Sequence, residues 1–132
     1  MIVVDTSALI AMLLDEPERR SFADTIKKAS HALISSATVI EARMVAFGKG
    51  GQERVMLLDG IIDSLGLQIA PLGIEEIEIA HAAFVTYGKG NGHPAQLNFG
   101  DLFSYALAKS RGVPLLFKGE DFALTDVEVA AA

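Results

Sequence analysis

The sequence predicts an α/β protein with a mostly parallel sheet of about five strands, covered by helices on both faces. Two observations lead to this prediction. Short apolar segments alternate along the chain with longer segments whose apolar residues recur at helical spacing. Such alternation is typical of strand–helix–strand units, whose helices bury both faces of a parallel sheet. The length of 132 residues suits one domain, so we expect a single domain over 1–132.

The strands are predicted from short apolar or β-branched segments that are bounded by turn residues. In chain order they cover residues 2–4, 31–35, 67–71 and 114–117, with a last short strand near 127–129. Pro114 opens the fourth of these, where a missing backbone donor is tolerated. We expect the strand at 114–117 to be central in the sheet.

The helices are predicted from apolar stripes at i, i+3 and i+4 and from residues that start or stop a helix. The stripes are Leu9, Met12 and Leu13; Leu58, Ile61, Ile62 and Leu65; Ile74, Ile77 and Phe84; and Phe99, Leu102, Phe103 and Ala106. Pro17 suits the start of a helix over about 18–29. Ser35 or Ser36 can cap a helix that runs to Phe47, and the glycine-rich segment 48–51 should stop it.

Composition excludes several classes of function. The chain has no cysteine, so disulfides, thiolate metal sites and a cysteine nucleophile are excluded, and a cytoplasmic location fits. The net charge of −6 argues against broad nonspecific nucleic-acid binding. No apolar run is long enough to cross a membrane, so we expect no membrane association. Hydrophobic residues make up 51% of the chain, which predicts a further buried surface in an oligomer or against a partner.

Acidic residues follow several of the predicted strands. Asp5 comes directly after the first strand, and Glu41 lies in the second turn of the helix after the second strand. Asp101 lies in the first turn of a long helix, and Glu120 and Asp121 follow the strand at 114–117. Each acid alone can be a helix cap or a solvated side chain. Because ligands bind at the carboxyl ends of the strands in such sheets, the acids together predict a site at this edge.

The predicted site is one for Mg²⁺ or Mn²⁺. Its donors are all oxygen atoms, which these ions prefer, whereas no cysteine and no HxxxH-type pair of histidines is present for Zn²⁺. One or two such ions can activate water and stabilise the leaving oxygen of a phosphodiester. The sequence therefore predicts metal-assisted hydrolysis with no protein nucleophile.

The ordered segments VVDTSALIAMLL, SSATVIEA, LNFGDLFSYALAKSRGVPLLF and KGEDF resemble the motifs of the PIN domain, and more narrowly of VapC-type toxins. The resemblance covers essentially the whole chain. It implies a PIN-like three-layer α/β/α sandwich and a Mg²⁺- or Mn²⁺-dependent endoribonuclease. The RNA substrates of this family are tRNA or rRNA. It also implies a VapB-like antitoxin that holds the enzyme inactive, and a homodimer.

The resemblance also assigns roles to residues. It places Asp5, Glu41 and Asp101 at the three acids of the family and Asp121 at a fourth, more variable acid, with Glu120 open as the alternative. These acids are both the predicted metal ligands and the predicted catalytic residues. The supporting polar residues are Thr6, Ser7 and Ser104, and a further, weaker candidate acid is Asp126. Lys118, Lys89 and Arg43 are predicted RNA contacts because they are cations near these segments.

Three alternatives stay open at the level of sequence. A receiver-like signalling module would also bind Mg²⁺, but it needs paired acids after its first strand, where Asp5 stands alone. A phosphatase of the DxDxT type needs an Asp where the chain has Ser7. A PIN-like chain that has lost activity and only binds a partner is the third alternative.

Overall fold

The computed structural model describes residues 1–130 and contains one sheet of four parallel strands. The strands are β1 (Ile2–Val4), β2 (Ala32–Ser35), β3 (Gln68–Ala70) and β4 (Leu115–Leu116), and their order in the sheet is β3-β2-β1-β4. The register pairs Ile2 with Ala32 and Val3 with Leu115. This arrangement puts the carboxyl ends of β1, β2 and β4 side by side at one edge.

Helices cover both faces of the sheet. They are α1 (Thr6–Leu13), α2 (Arg19–Lys28), α3 (Ser36–Gly50), α4 (Gln52–Ser64), α5 (Ile74–Tyr87) and α6 (Phe99–Arg111), and a short 3₁₀ helix follows at Phe122–Leu124. The helices α1 to α4 pack on the face that Ile2 and Val4 point to. The helices α5 and α6 pack on the opposite face, against Val3. Alternation of side chains along β1 therefore supplies both cores, and the fold has three layers as predicted.

The sheet differs from the prediction in two respects. It has four strands, because the segment near Val127–Val129 forms only one isolated bridge, between Leu115 and Val129. The strand predicted as central, β4, is instead the last strand in the sheet order. The outer side of β4 is still paired, since the Leu115 amide donates to the Glu128 carbonyl at 2.8 Å. A Leu-rich strand at the end of the sheet is thus covered by the C-terminal segment.

Helix α3 is longer than predicted. It continues through Gly48 to Gly50 and ends at Gly51, whose φ is +72°. A glycine within a helix costs only about 1 kcal/mol relative to alanine, which packing of the rest of the helix can offset. The positive φ at Gly51 is what ends α3, since glycine adopts that conformation without a steric cost.

Several predicted apolar stripes face outward. Ile74 is 81% exposed and Phe99 is 77% exposed, although both lie on the predicted stripes of α5 and α6. Leu102 and Ala106 of the α6 stripe are buried as expected. Across residues 1–130, no helix combines the length and the apolar character that a membrane span requires.

Candidate active site

Asp5 is the most deeply buried of the predicted acids. It follows β1 and is the N-cap of α1, where its Oδ2 accepts from the Ser7 amide at 3.0 Å and from the Ser7 hydroxyl at 2.7 Å. Its Oδ1 accepts from the Ser104 hydroxyl at 2.5 Å. Only 3% of Asp5 is exposed. Burial raises the pKa of Asp5, and the hydrogen bonds from Ser104 and Ser7 act in the opposite direction.

Two hydroxyl groups connect Asp5 to distant parts of the chain. The Ser7 hydroxyl accepts from the Lys118 amide at 2.9 Å, so it links Asp5 to the end of β4. Ser104 lies 3.3 Å from the Thr38 hydroxyl, and both are fully buried. Asp5 is therefore oriented by α6 and α3 on one side and by the β4 end on the other.

Glu41 reaches the site from α3. Its Oε1 accepts a short hydrogen bond from the Thr6 hydroxyl, one residue after Asp5. Its carboxylate lies against Gly100, so closely that a Cβ placed at Gly100 would be 1.4 Å from Oε2. Burial raises the pKa of Glu41, the Thr6 hydrogen bond lowers it, and the charge of Asp5 raises it further.

Asp101 is held in the first turn of α6 by a capping box with Asn98. The Asp101 Oδ2 accepts from the Asn98 amide, and the Asn98 Oδ1 accepts from the Asp101 amide, both at 2.9 Å. This is the helix start that the NFGD sequence indicates. Because the Asn98 backbone amide holds one oxygen of Asp101, the Asp101 carboxylate stays at the start of α6, next to Gly100.

The carboxylates interact electrostatically across the elements that carry them. The pKa of Asp101 is raised to about 7, chiefly by burial and also by the charges of Asp5, Glu41 and Asp121, while the hydrogen bond from the Asn98 backbone amide lowers it. The acids that follow β1, lie in α3 and follow β4 are therefore close enough to act on the carboxylate at the start of α6. Such mutual repulsion of ionised groups makes a location where a cation is stabilised.

The structure also bears on the choice between Asp121 and Glu120, both of which are exposed. The charge of Asp121 acts on Asp101, which favours Asp121 as the acid that faces the site. Asp126, the weaker candidate, accepts from the Tyr105 hydroxyl and pairs with Lys109 at 3.1 Å. Those two hydrogen bonds and the Lys109 charge lower the pKa of Asp126.

The residues present fit a divalent cation by the chemistry of their donors. They offer oxygen atoms only, from neighbouring carboxylates whose charges raise the pKa of Glu41 and of Asp101. Within residues 1–130, no group of three or more His, Cys, Asp or Glu side chains is arranged so that it could hold a metal ion. The carboxylates of Asp5, Glu41 and Asp101 instead accept hydrogen bonds from hydroxyls or backbone amides of the chain. Every buried side-chain N or O described in that range has a partner.

The predicted RNA contacts lie in different environments. The Lys118 Nζ pairs with Glu18 at 3.0 Å and with Glu16 at 3.2 Å, which joins the end of β4 to the α1–α2 connection. Arg43 pairs with Asp59 of α4 at 3.1 Å. Two residues correspond to about 200° of helical rotation, so Arg43 lies nearly opposite Glu41 on α3. Lys89 lies in the exposed loop after α5, where its amide donates to the Leu97 carbonyl at 2.9 Å.

Two residues of the site were not found from the sequence. Thr38 carries a hydroxyl on the buried side of α3, one turn before Glu41, and this spacing was a usable signal. Gly100 gave no sequence signal, because a glycine in a first turn has many explanations. Its contact with Glu41 depends on how α3 and α6 pack, which is a tertiary property.

Comparisons with known proteins identify the family of the chain. The PIN domain family model matches residues 2–128. The ribonuclease VapC30 of Mycobacterium tuberculosis is 42% identical over 129 residues, which cover 98% of both chains. The ribonuclease VapC28 of the same organism is 40% identical and covers 97% of this chain and 96% of its own.

Solved structures share the fold. The sarcin-ricin loop cleaving toxin VapC20 of M. tuberculosis superposes with a TM-score of 0.76, at 17% identity, and covers 96% of both chains. A toxin–antitoxin complex from Klebsiella pneumoniae gives a TM-score of 0.67 at 19% identity, covering 93% of this chain and 91% of its own. At these identities the likeness shows the three-layer fold.

Proposed function

This chain belongs to the PIN-domain family and is a relative of the VapC ribonucleases, and from that premise we propose that it is an endoribonuclease toxin that hydrolyses phosphodiester bonds of RNA. The observation that carries the proposal is the set of carboxylates from separate elements at one sheet edge. The charge of Asp5 raises the pKa of Glu41, and the charges of Asp5, Glu41 and Asp121 raise the pKa of Asp101. Isolated helix caps would not be expected to interact in this way.

The proposed cofactor is Mg²⁺ or Mn²⁺, held by Asp5, Glu41 and Asp101, with Asp121 as the variable fourth ligand. When bound, the ion supplies Lewis acidity toward water and toward the phosphodiester. The chain's own residues orient the ligands. Ser104 and Ser7 fix the two oxygens of Asp5, Thr6 fixes one oxygen of Glu41, and Asn98 fixes one oxygen of Asp101. Such partners hold a ligand in one orientation and tune its basicity.

A protein nucleophile is not part of the proposal. The Ser7 hydroxyl already donates to Asp5 and accepts from the Lys118 amide. Its partners are the Asp5 carboxylate and the Lys118 amide, with no histidine among them to act as the base of a serine nucleophile. Ser7 therefore suits a role in orienting Asp5, and water remains the attacking group.

The substrate class proposed is tRNA or rRNA, and the proposed controlling partner is a VapB-like antitoxin. One structural relative was solved as a toxin–antitoxin complex. This chain exposes large apolar side chains that a partner or a second copy would cover, among them Ile40, Met44, Phe47, Ile74 and Phe99. We further propose that the chain is a single PIN domain that forms a homodimer and acts in the cytoplasm.

The receiver-like alternative has no support in the comparisons, because the matching family is the PIN domain. An inactive PIN-like binding module remains the second candidate, favoured by the exposed apolar surface. Both candidates predict partner binding, but only the ribonuclease predicts cleavage.

The deciding experiment is cleavage of a labelled tRNA or total-RNA pool by the purified chain. It is run with Mg²⁺, with Mn²⁺, with EDTA, and with Asp5→Asn and Asp101→Asn variants. We expect specific fragments that require the metal and disappear in both variants. Full cleavage by both variants would overturn the mechanism. Absence of cleavage by a folded, metal-binding wild type would favour the binding module.

A further inference from the structure

We propose that Gly100 is a positioning residue for Glu41, and this proposal rests on the proposed metal-dependent function. The missing side chain at Gly100 leaves the space that the Glu41 carboxylate occupies. A Cβ at this position would be 1.4 Å from Oε2, 2.2 Å from Cδ and 2.7 Å from Oε1 of Glu41. All three distances are below 3.0 Å, a separation that real Cβ atoms essentially never show, so another residue at this position requires the carboxylate to move.

The conformation of Gly100 does not itself require glycine. Gly100 lies in the first turn of α6, two residues after the N-cap Asn98, and its φ is not in the positive range. Alanine would favour the helix at such a position, because glycine is among the poorest helix formers. The glycine is therefore explained by what lies beside it and not by the backbone.

The space beside Gly100 completes the contacts that hold Glu41. On one side, the Thr6 hydroxyl donates to Oε1, and on the other side the carboxylate rests on the α6 backbone at Gly100. Asp101 is the next residue and is itself fixed by Asn98. Gly100 thus lets the Glu41 carboxylate from α3 lie directly against the start of α6, next to Asp101.

The atoms that a methyl group would meet belong to the end of a flexible side chain. Gly100→Ala should therefore leave the fold intact and move the Glu41 carboxylate away. Gly60 offers a matched control, since it is also a helical glycine and a Cβ there meets nothing within 4 Å. Gly60→Ala changes helix propensity in the same way without touching the site.

The test is a double-mutant cycle read by Mn²⁺ affinity and by RNA cleavage. We expect Gly100→Ala to lower kcat/KM and Mn²⁺ affinity about tenfold or more, as loss of a ligand-orienting contact does, while Gly60→Ala leaves both unchanged. In a Glu41→Ala background, adding Gly100→Ala should cause no further loss of Mn²⁺ affinity, because the group that it displaces is gone. Thermal unfolding of all variants checks that they are folded.

Two results would overturn the proposal: wild-type Mn²⁺ affinity in Gly100→Ala, or an equal loss of affinity from Gly100→Ala with and without Glu41. If Gly100→Ala fails to fold but the double variant folds, the clash with Glu41 is supported. A wild type that binds Mn²⁺ but cleaves no RNA would count against the ribonuclease alone, and the Mn²⁺ cycle would still decide the role of Gly100. A wild type that binds no Mn²⁺ would overturn both proposals.

Discussion

Ser104 lies in the interior between the Asp5 carboxylate and the Thr38 hydroxyl, and both neighbours favour a hydroxyl at this position. It is fully buried, donates to Asp5 at 2.5 Å and lies 3.3 Å from the Thr38 hydroxyl. A buried carboxylate that loses a donor is stabilised less in its ionised form. Ser104 therefore stabilises the fold and keeps Asp5 in the orientation required for its proposed role as a metal ligand.

Ser104→Ala should lower the free energy of unfolding by about 1–3 kcal/mol, the usual cost of losing a hydrogen bond to a charged group. Cleavage or Mn²⁺ affinity should fall roughly tenfold or more, since Asp5 loses a partner that orients it. Denaturant unfolding and metal titration measure the two effects. Ser64→Ala, which removes an exposed hydroxyl bonded to the Ile61 carbonyl, is the control and should change neither.

The acids also make stability depend on pH. Because Asp5, Glu41 and Asp101 have raised pKa values, these three groups bind more protons in the folded metal-free chain than in the unfolded chain. Asp101 binds more protons in the folded chain than in the unfolded chain between pH 3.8, its ordinary pKa, and its raised pKa of about 7. Stability of the metal-free chain should therefore fall as the pH rises through that window.

Thermal unfolding in EDTA at pH 5 and at pH 8 tests this, and the midpoint should be lower at pH 8. Asp101→Asn should reduce the difference, because Asn carries no charge to repel its neighbours. Mg²⁺ should raise the midpoint more at pH 8 than at pH 5. At a hundredfold excess of Mg²⁺ over its Kd, binding adds about 2.7 kcal/mol to the free energy of unfolding. Equal midpoints at both pH values, with or without the Asn substitution, would contradict the electrostatic account.

At the scale of elements, the starts of the helices place the acids. Asp5 caps α1 and Asp101 belongs to the capping box of α6, so the same bonds that begin these helices aim their carboxylates. The sequence could predict both, because capping patterns are local. It could not predict the contact of Gly100 with Glu41 or the position of β4 at the end of the sheet, because both depend on which elements become neighbours.

Asn98→Ala removes one half of the α6 capping box. We expect a loss of about 1 kcal/mol in the free energy of unfolding, the usual cost of an N-cap deletion. The backbone amide of residue 98 can still donate to Asp101 in this variant. The loss of cleavage should therefore be smaller than for Asp101→Asn. Gln52→Ala in the first turn of α4, whose N-cap Gly51 makes no side-chain bond, should change stability little. Equal stability of the Asn98 variant and wild type in urea would argue against the cap.

At the scale of the whole molecule, the two cores bury only part of the apolar side chains, and many large ones are exposed. Met44 is 70% exposed and Phe47 is 59% exposed on α3, and Phe99 on α6 stacks edge-on against Phe103 with ring centroids 4.8 Å apart. The sequence predicted an additional buried surface from composition, but it did not indicate which helices form that surface. Helical periodicity shows that a face is apolar, and it does not show what covers that face.

We expect the purified chain to be a dimer at concentrations well above micromolar, because a second copy would cover this exposed surface. Light scattering after size exclusion, over a wide concentration range, gives the mass directly. Dilution should shift the mass toward that of one chain. A constant single-chain mass at every concentration would remove the homodimer from the proposal and leave the surface to the antitoxin.

The hydrogen bonds to Asp5 join parts of the chain that are made at very different times. Ser104 is 99 residues away from Asp5, and Lys118 is 111 residues away from Ser7. A ribosome that has not yet reached α6 holds a nascent chain with Asp5 and Glu41 but without Asp101 and Ser104. The toxic activity proposed here therefore cannot arise on a half-made polypeptide, and translation has to pass α6 before the cell needs protection.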